Sequence, residues 1–381
     1  MSSISQVDSV DWNSLCQDGY PFIRHEFLMA LESSGSVDEV SGWIPNHLVV
    51  YLKDELVGFL PLYQKTHSYG EYVFDHSWAN AYHQNGIHYF PKLVSAIPFT
   101  PCAGPRLMIK PMYQLELMPQ VIEQVKTYCN RKGFSSWHLL FPDLEGEEFL
   151  EQSEQPNLEN KLLKRTGLQY HWYNQNYQSF DDFLSQCKQK KRKNIRRERK
   201  TIQDANVVLE FVEGRETTGP LWAQFFEFYQ RTYLKRSGNR GYLNWGFFEF
   251  IANAMPDNLV LAVAKYDQQV IGMSLFFKGG DTLYGRYWGA SAEYEFLHFE
   301  ACYYQGIEYC IKHGLQHFDA GAQGEHKIPR GFKPIKTFSY HWIEHPQFRE
   351  AIASFLVEEE GYVSQAINEL TCRLPFKSKQ S

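Results

Sequence analysis

The sequence predicts a tandem α/β protein, two related mixed-sheet domains in one chain, and three observations carry that prediction. Residues 47–63 and 259–277 read as copies of one another. Each is an apolar run, a polar turn and a second apolar run with a glycine, Gly58 in one and Gly272 in the other. That composition is a β-hairpin. Each hairpin is followed, in the same order, by a helical pattern that stops on a glycine and then by a short apolar strand. Late in each half stands one tripeptide, Tyr170-His171-Trp172 and Tyr340-His341-Trp342. Similar pieces in a fixed order mark an internal repeat. The expected domains are 1–175 and 176–345, each a mixed, mostly antiparallel sheet with flanking helices, with a helical tail over 346–381 that frays into a basic, polar end.

The elements follow in order. The first hairpin turns at Lys53-Asp54-Glu55; a helix is expected over 113–131, stopped by Gly133, and a strand over 134–141. The second hairpin turns at Asp267-Gln268-Gln269, and a third strand covers 282–288. A helix over 298–313 carries Phe299, Tyr303, Ile307 and Ile311 every fourth residue, which makes one buried stripe. Gly314 is its C-terminal stop, and 315–319 is the next strand. Between the halves, residues 188–200 read KQKKRKNIRRERK, nine bases and one acid. The flanks are helix-compatible, and Asp181 and Asp182 suit a helix start. A basic helix of about six turns is therefore expected to open the second half.

Composition bounds the function. Of 381 residues, 43% are hydrophobic and 22% charged, which provides a filled core and excludes wholesale disorder. Aromatics at 16% point to aromatic-lined clefts as well as aromatic cores. A net charge of −6 excludes a nucleic-acid coat, yet the basic run is a strong local exception to it. Seven cysteines without a CxxC pair read as buried, reduced thiols, and no metal spacing is present. No secretory leader pattern and no apolar run long enough to span a bilayer is visible, so a soluble, cytoplasmic protein is expected, with peripheral membrane contact left open.

Three readings of the basic run stand side by side. It is a solvated helix face, a seat for a phosphate-bearing partner, or a contact for an anionic membrane surface. Like charges four residues apart destabilise a helix, which weighs against the first. No aromatic interrupts the run, so Lys191, Arg192, Lys193, Arg196, Arg197 and Arg199 would meet phosphates, blind to base sequence.

The densest chemistry lies at residues 319–334. Gln323 and Gly324 precede Glu325, His326, Lys327 and Arg330. Glu325 or His326 would serve as general base on an attacking amine; Lys327 and Arg330 would hold an anion or steady an oxyanion. A solubilising surface turn is the alternative. Arg286, Tyr287 and Trp288 end the third strand and Glu300 opens the next helix; they are candidates to position the acceptor, the alternatives being a structural cation–π pair at Arg286 and a helix-start carboxylate at Glu300. In the first half, His76, Trp78 and Tyr82 are candidates to line a cleft.

Three of these stretches resemble a bacterial family. They are residues 90–106 (Phe-Pro-Lys-Leu through Thr-Pro-Cys-Ala-Gly-Pro-Arg), the basic run 191–199, and residues 321–332 (Gly-Ala-Gln-Gly-Glu-His-Lys-Ile-Pro-Arg-Gly-Phe). The family is labelled peptidoglycan biosynthesis/recognition and is related to Fem-type transferases and the GNAT acyltransferases. The resemblance runs from about residue 27 to 357. It implies tandem GNAT-like domains in a Fem-type architecture, and acyl or aminoacyl transfer to an amine of a cell-wall precursor or other small acceptor. The donor it implies is an aminoacyl-tRNA, whose backbone the basic helix would suit, or an acyl-CoA. One departure weighs against the latter. The stretch matching the GNAT pyrophosphate loop, 289–298, lacks the glycine pair and carries Glu293 and Glu295. The rival readings are a binding module for peptidoglycan or nucleic acid, and a conventional acyl-CoA N-acetyltransferase.

Overall fold

A computed structural model describes residues 1–16, 19–152 and 161–377. The last four residues of the expected tail, 378–381, lie outside the described residues. The chain divides into two compact units. One is Met1–Gly167 with Lys336–Gln365; the other is Leu168–Ile335 with Ala366–Ser381. The expected tail is the helix Pro346–Cys372, which starts in the first unit and ends in the second.

In the second unit the strands Val207–Glu213, Leu259–Tyr266, Gln269–Gly279 and Thr282–Ala290 pair antiparallel in that order. His317–Asp319 then pairs parallel with Thr282–Ala290 and antiparallel with residues 171–173. In the first unit Trp43–Pro45, Tyr63–Lys65, Lys92–Ser95 and Ser136–Leu140 form the corresponding row; its last two strands are parallel, and residues 339–343 close it antiparallel. The first hairpin differs from the second in setting. Leu48–Leu52 and Glu55–Leu60 pair with Met108–Ile109 in a separate three-stranded sheet.

Each unit therefore closes on a strand from the other half of the sequence. Tyr170-His171-Trp172 ends the strand Leu163–Tyr173 inside the second unit, with His171 opposite Asp319. Tyr340-His341-Trp342 lies in Lys333–Ile343 inside the first, with His341 opposite His138.

The hairpin likeness has a physical basis. Both carry a bulge at the residue before the glycine, Val57 and Ile271. A Cβ on Gly58 would sit 2.9 Å from Ile109 and one on Gly272 2.8 Å from Trp288, so a close neighbour demands glycine in both.

The basic helix is broken, unlike the continuous helix expected. Phe180–Ser185 is one helix and Gln189–Asp204 another. The backbone between them bonds to the chain's C-terminal stretch: Lys188 N donates to Pro375 O at 2.7 Å and Lys377 N to Gln186 O at 2.9 Å. Those bonds hold Lys188 extended, with ψ at 143°. The helix expected over 298–313 also divides. Residues Glu300–Tyr304 form a π-turn between Leu297–Phe299 and Gln305–His313. The wide turn shifts the inward stripe by a residue, a device common at functional sites.

The first unit hides a charged network. Lys92 is fully buried and bonds Glu71 at 2.8 Å, Ser68 at 3.3 Å and, more tightly, Asp75. Tyr89 donates to Asp75 at 2.6 Å, and His138, itself bonded to His341, lies 3.3 Å from Tyr89. Burial holds His138 and His341 neutral, well below the usual imidazole range. Lys65, equally buried, lies 3.9 Å over the Trp43 ring.

Burial pushes Lys65 down from 10.5 to about 7, with Glu71 pulling the other way. Between those values the unfolded chain holds a proton that the folded chain lacks, so this group makes stability rise with pH across that window. Lys65→Met keeps the volume and removes the cost. It is expected to raise the thermal midpoint more at about pH 6 than at about pH 10. An equal shift at both, in matched melts, would contradict it.

Candidate functional site

In the second unit the parallel pairing of Thr282–Ala290 with His317–Asp319 stops at Tyr284 and Asp319. The longer strand runs on alone on that side, with a bulge at Arg286 because Tyr287 and Gly285 pair with consecutive residues. Ligands favour the carboxyl ends of strands at such a parting. Here it is filled from three sides: Trp288 from the strand, the start of the helix at His298, Phe299 and Tyr303, and the loop carrying Gly324 and His326.

Tyr303 Oη and His326 Nε2 share a hydrogen bond of 2.8 Å. The His298 ring stands edge-on to Tyr303 at 5.3 Å and to Trp288 at 5.8 Å. His326 folds back over Gly324, where a Cβ would come within 2.3 Å of the ring. Glycine at 324 is therefore what lets the imidazole lie there, and its φ of 116° is one that side-chain-bearing residues rarely adopt.

The electrostatics are uniform. Partial burial with Lys327, Arg330 and Arg236 brings His326 down to about 4, although solvent reaches it. Burial with Arg236, His326, Lys327 and Arg330 brings His298 to about 3. Burial raises the Tyr303 phenol well above its usual value. Near neutral pH the site is two uncharged imidazoles and a protonated phenol in a positive field. Such a field disfavours an ammonium and stabilises a developing oxyanion. Cys302 beside it is inert, its thiol pushed up to about 12 by burial.

The four expected catalytic residues part company. His326 alone is in this cluster as an available base. Lys327 is 1% exposed, and its ammonium binds Gly321 O, fixing the loop. Arg330 is engaged structurally, donating to Glu198 at 2.8 Å and lying 3.5 Å over Phe299. Glu325 faces elsewhere, pairing with Arg373 at 3.1 Å. Gln323 is exposed on the loop.

Among the positioning candidates, Trp288 belongs to the cluster. Arg286 lies 5.3 Å over Tyr287, which packs into the aromatic core against Tyr229 and Phe248. Glu300 is buried and takes Arg199 at 2.9 Å and Gln305 at 2.8 Å. In the first unit His76 is exposed at a helix start; Trp78 and Tyr82 are buried, Trp78 4.9 Å from His341 and Tyr82 stacked at 3.9 Å on Phe348.

The helix Gln189–Asp204 presents two faces. Ile195, Glu198, Arg199 and Ile202 point inward, at the spacing of a buried stripe. Arg199 is thereby committed to Glu300 and Glu308 rather than to a partner. Lys193, Arg196 and Arg197 are exposed, Lys191 and Arg192 partly so, and Arg196 meets Asp181 at 2.8 Å in an exposed pair. The first turn carries no acid and the N-cap no side-chain bond. An open cavity of about 320 Å³ lies there, lined by Lys188, Lys191, Arg373, Glu325, Pro329 and Cys372.

His298 and Tyr303 escaped the reading of the sequence. The signal for Glu198 was present: it is the single acid in the basic run, on the face of the run's single isoleucine, Ile195.

The comparisons agree with the fold. The FemX crystal structure superposes with a TM-score of 0.53 at 11% identity, covering 91% of this chain and 98% of that one. The C-terminal domain of a putative lysylphosphatidylglycerol synthetase from Agrobacterium fabrum gives 0.53 at 8%, over 95% and 98%. A conserved protein of unknown function from Bacteroides thetaiotaomicron gives 0.50 at 8%, over 88% and 97%. At such identities the likeness is one of fold. No curated protein sequence matches the chain. No helix among the described residues is long and apolar enough to cross a membrane. With a Fem-type fold in place and a family model matching residues 3–378, the chain belongs to the FemAB-like family of peptidoglycan biosynthesis/recognition proteins.

Proposed function

We propose that the protein is an N-acyltransferase that carries an aminoacyl group from a phosphate-rich donor to an amine of a cell-wall precursor. The observation that carries this reading is the neutral Tyr303–His326 pair inside a positive field. Direct attack of an amine on an ester needs no covalent enzyme intermediate, only position, a proton acceptor and charge stabilisation. The field of Arg236, Lys327 and Arg330 would favour the free amine over its ammonium. After attack the nitrogen becomes strongly acidic, and neutral His326 would accept its proton. The Tyr303 phenol, kept protonated by burial, would return a proton to the leaving oxygen. The exposed face of the basic helix and the cavity at its start supply cations for the donor's phosphates.

The test is transfer of labelled amino acid from charged tRNA to a muropeptide amine, with acetyl-CoA as the alternative donor. Product from tRNA and none from acetyl-CoA is expected. Lys191→Glu with Arg197→Glu should weaken tRNA binding and flatten its salt dependence, the slope falling by about one for each phosphate no longer neutralised. Unchanged binding and salt slope would overturn the donor assignment.

A further inference from the structure

The first unit has a recess of its own where its parallel strand pair ends. It lies between the start of the helix Gln114–Lys132 and the end of the strand Ser136–Leu140. In local topology this is the place that Tyr303 and His326 occupy in the second unit. The recess holds about 100 Å³ and is walled by Leu60, Met118, Ile122, Trp137, Leu139 and Phe149. A dry cavity of about 150 Å³ accepts benzene, so this smaller one suits a slimmer group, a short aliphatic chain. Three exposed apolar residues stand close by in sequence. Met112, Leu115 and Leu144 are 79%, 88% and 75% exposed, and they adjoin the lining residues Gln114, Asp143 and Glu145.

Charge decides what enters. Arg106 lines the recess and is 2% exposed, but it is turned inward on its own loop. It donates to the carbonyls of Cys102 at 2.7 Å, Leu140 at 2.8 Å, Gly104 at 3.0 Å and Pro105 at 3.1 Å. It closes the floor and offers little to an anion. The other charges in the lining are carboxylates. Asp143 caps the next helix, accepting from Gly146 N at 2.9 Å, and Glu145 is exposed with no ion pair among the described residues.

We propose that this recess binds the apolar end of an organic cation, a short alkyl chain inside and its ammonium at the Asp143–Glu145 mouth. The proposal is independent of the chemistry assigned to the second unit.

Calorimetric titration of the full chain with hexylamine, hexanol and hexanoate tests it, since the three share one chain and differ in charge. Hexylamine is expected to bind about tenfold more tightly than hexanoate, as one unscreened mouth carboxylate would give. Glu145→Gln should shrink that preference and leave hexanol unchanged. Leu139→Trp fills the recess and should abolish binding of all three. If that variant fails to fold by circular dichroism, Ile122→Phe replaces it. Equal binding of hexylamine and hexanoate, or amine binding that survives filling in a folded variant, overturns the proposal.

Discussion

Exchanging Lys92 for methionine is expected to cost the fold about 3–5 kcal/mol, enough to unfold many domains at ordinary temperature. The reason is what stays behind. Glu71 and Asp75 are each buried against Lys92, and no other ammonium is within ion-pairing distance of them among the described residues. Burial drives the Glu71 carboxyl up to about 7, with Lys92 opposing it. At Asp75 burial also pushes up, but Lys92 pulls harder by charge and hydrogen bond, and the net lies below the usual carboxylate range. A depressed carboxyl stabilises the fold above its unfolded value of 3.8 and loses that contribution as pH falls below it. Without Lys92 both acids would prefer to be neutral. The deficit of Lys92→Met should therefore be smaller at about pH 4 than at about pH 8 in urea titrations. Adding Glu71→Gln and Asp75→Asn should recover much of it, because the uncompensated charges are gone. A pH-independent deficit would show that poorer packing, not charge, dominates.

His326→Gln and Tyr303→Phe are each expected to slow the proposed transfer by about 10²–10⁴-fold, the usual worth of a positioned acid or base. Both side chains keep their bulk, so the fold should hold; Tyr303 would retain its stacking on Phe299. The pH profile separates a proton-transfer role from a structural one. His326 is neutral above about 4, so below that value the wild-type rate should show an acid limb steeper than the shrinking fraction of free amine alone dictates. His326→Gln should lose that limb along with the rate. A variant that is slow yet keeps the acid limb would assign the proton to another group, with His298 next in reach.

Much of the fold was legible because its signals are local. The two hairpins, the stops at Gly133 and Gly314, and the helix Gln114–Lys132 all follow from period, turn chemistry and left-handed glycine caps. The strand exchange left no local trace, since pairing partners lie far apart in sequence. The break at 186–188 was hidden for the same reason, as its cause is the chain's other end. In the candidate site, His326 stood out in the sequence as an imidazole in a glycine-rich loop. Its partner Tyr303 read only as part of a buried stripe, which it also is. Lys327 and Arg330 read as free loop charges, yet both are buried and bonded within the fold, so they reach the cluster through their field rather than by contact. Lys92 stood inside a stretch that carries the family resemblance, but nothing local marked it as buried: a lysine reads as solvent-exposed until the acids folded around it are seen.

The exchanged strands also bear on how such a chain is made. Residues 339–343 complete the row of strands whose other members were all synthesised by residue 140. On the ribosome that first row must wait, with Ser136–Leu140 as an unpaired edge, while some two hundred further residues emerge. The second row needs residues 171–173, made before all of its other strands, and is ready almost as soon as residues 317–319 appear. The later half of the message can thus close its row of strands before the earlier half does, although its unit is complete only once the C-terminal stretch has followed. During that interval the nascent chain would lean on chaperones to keep its open edge from pairing with a neighbour on the same polysome.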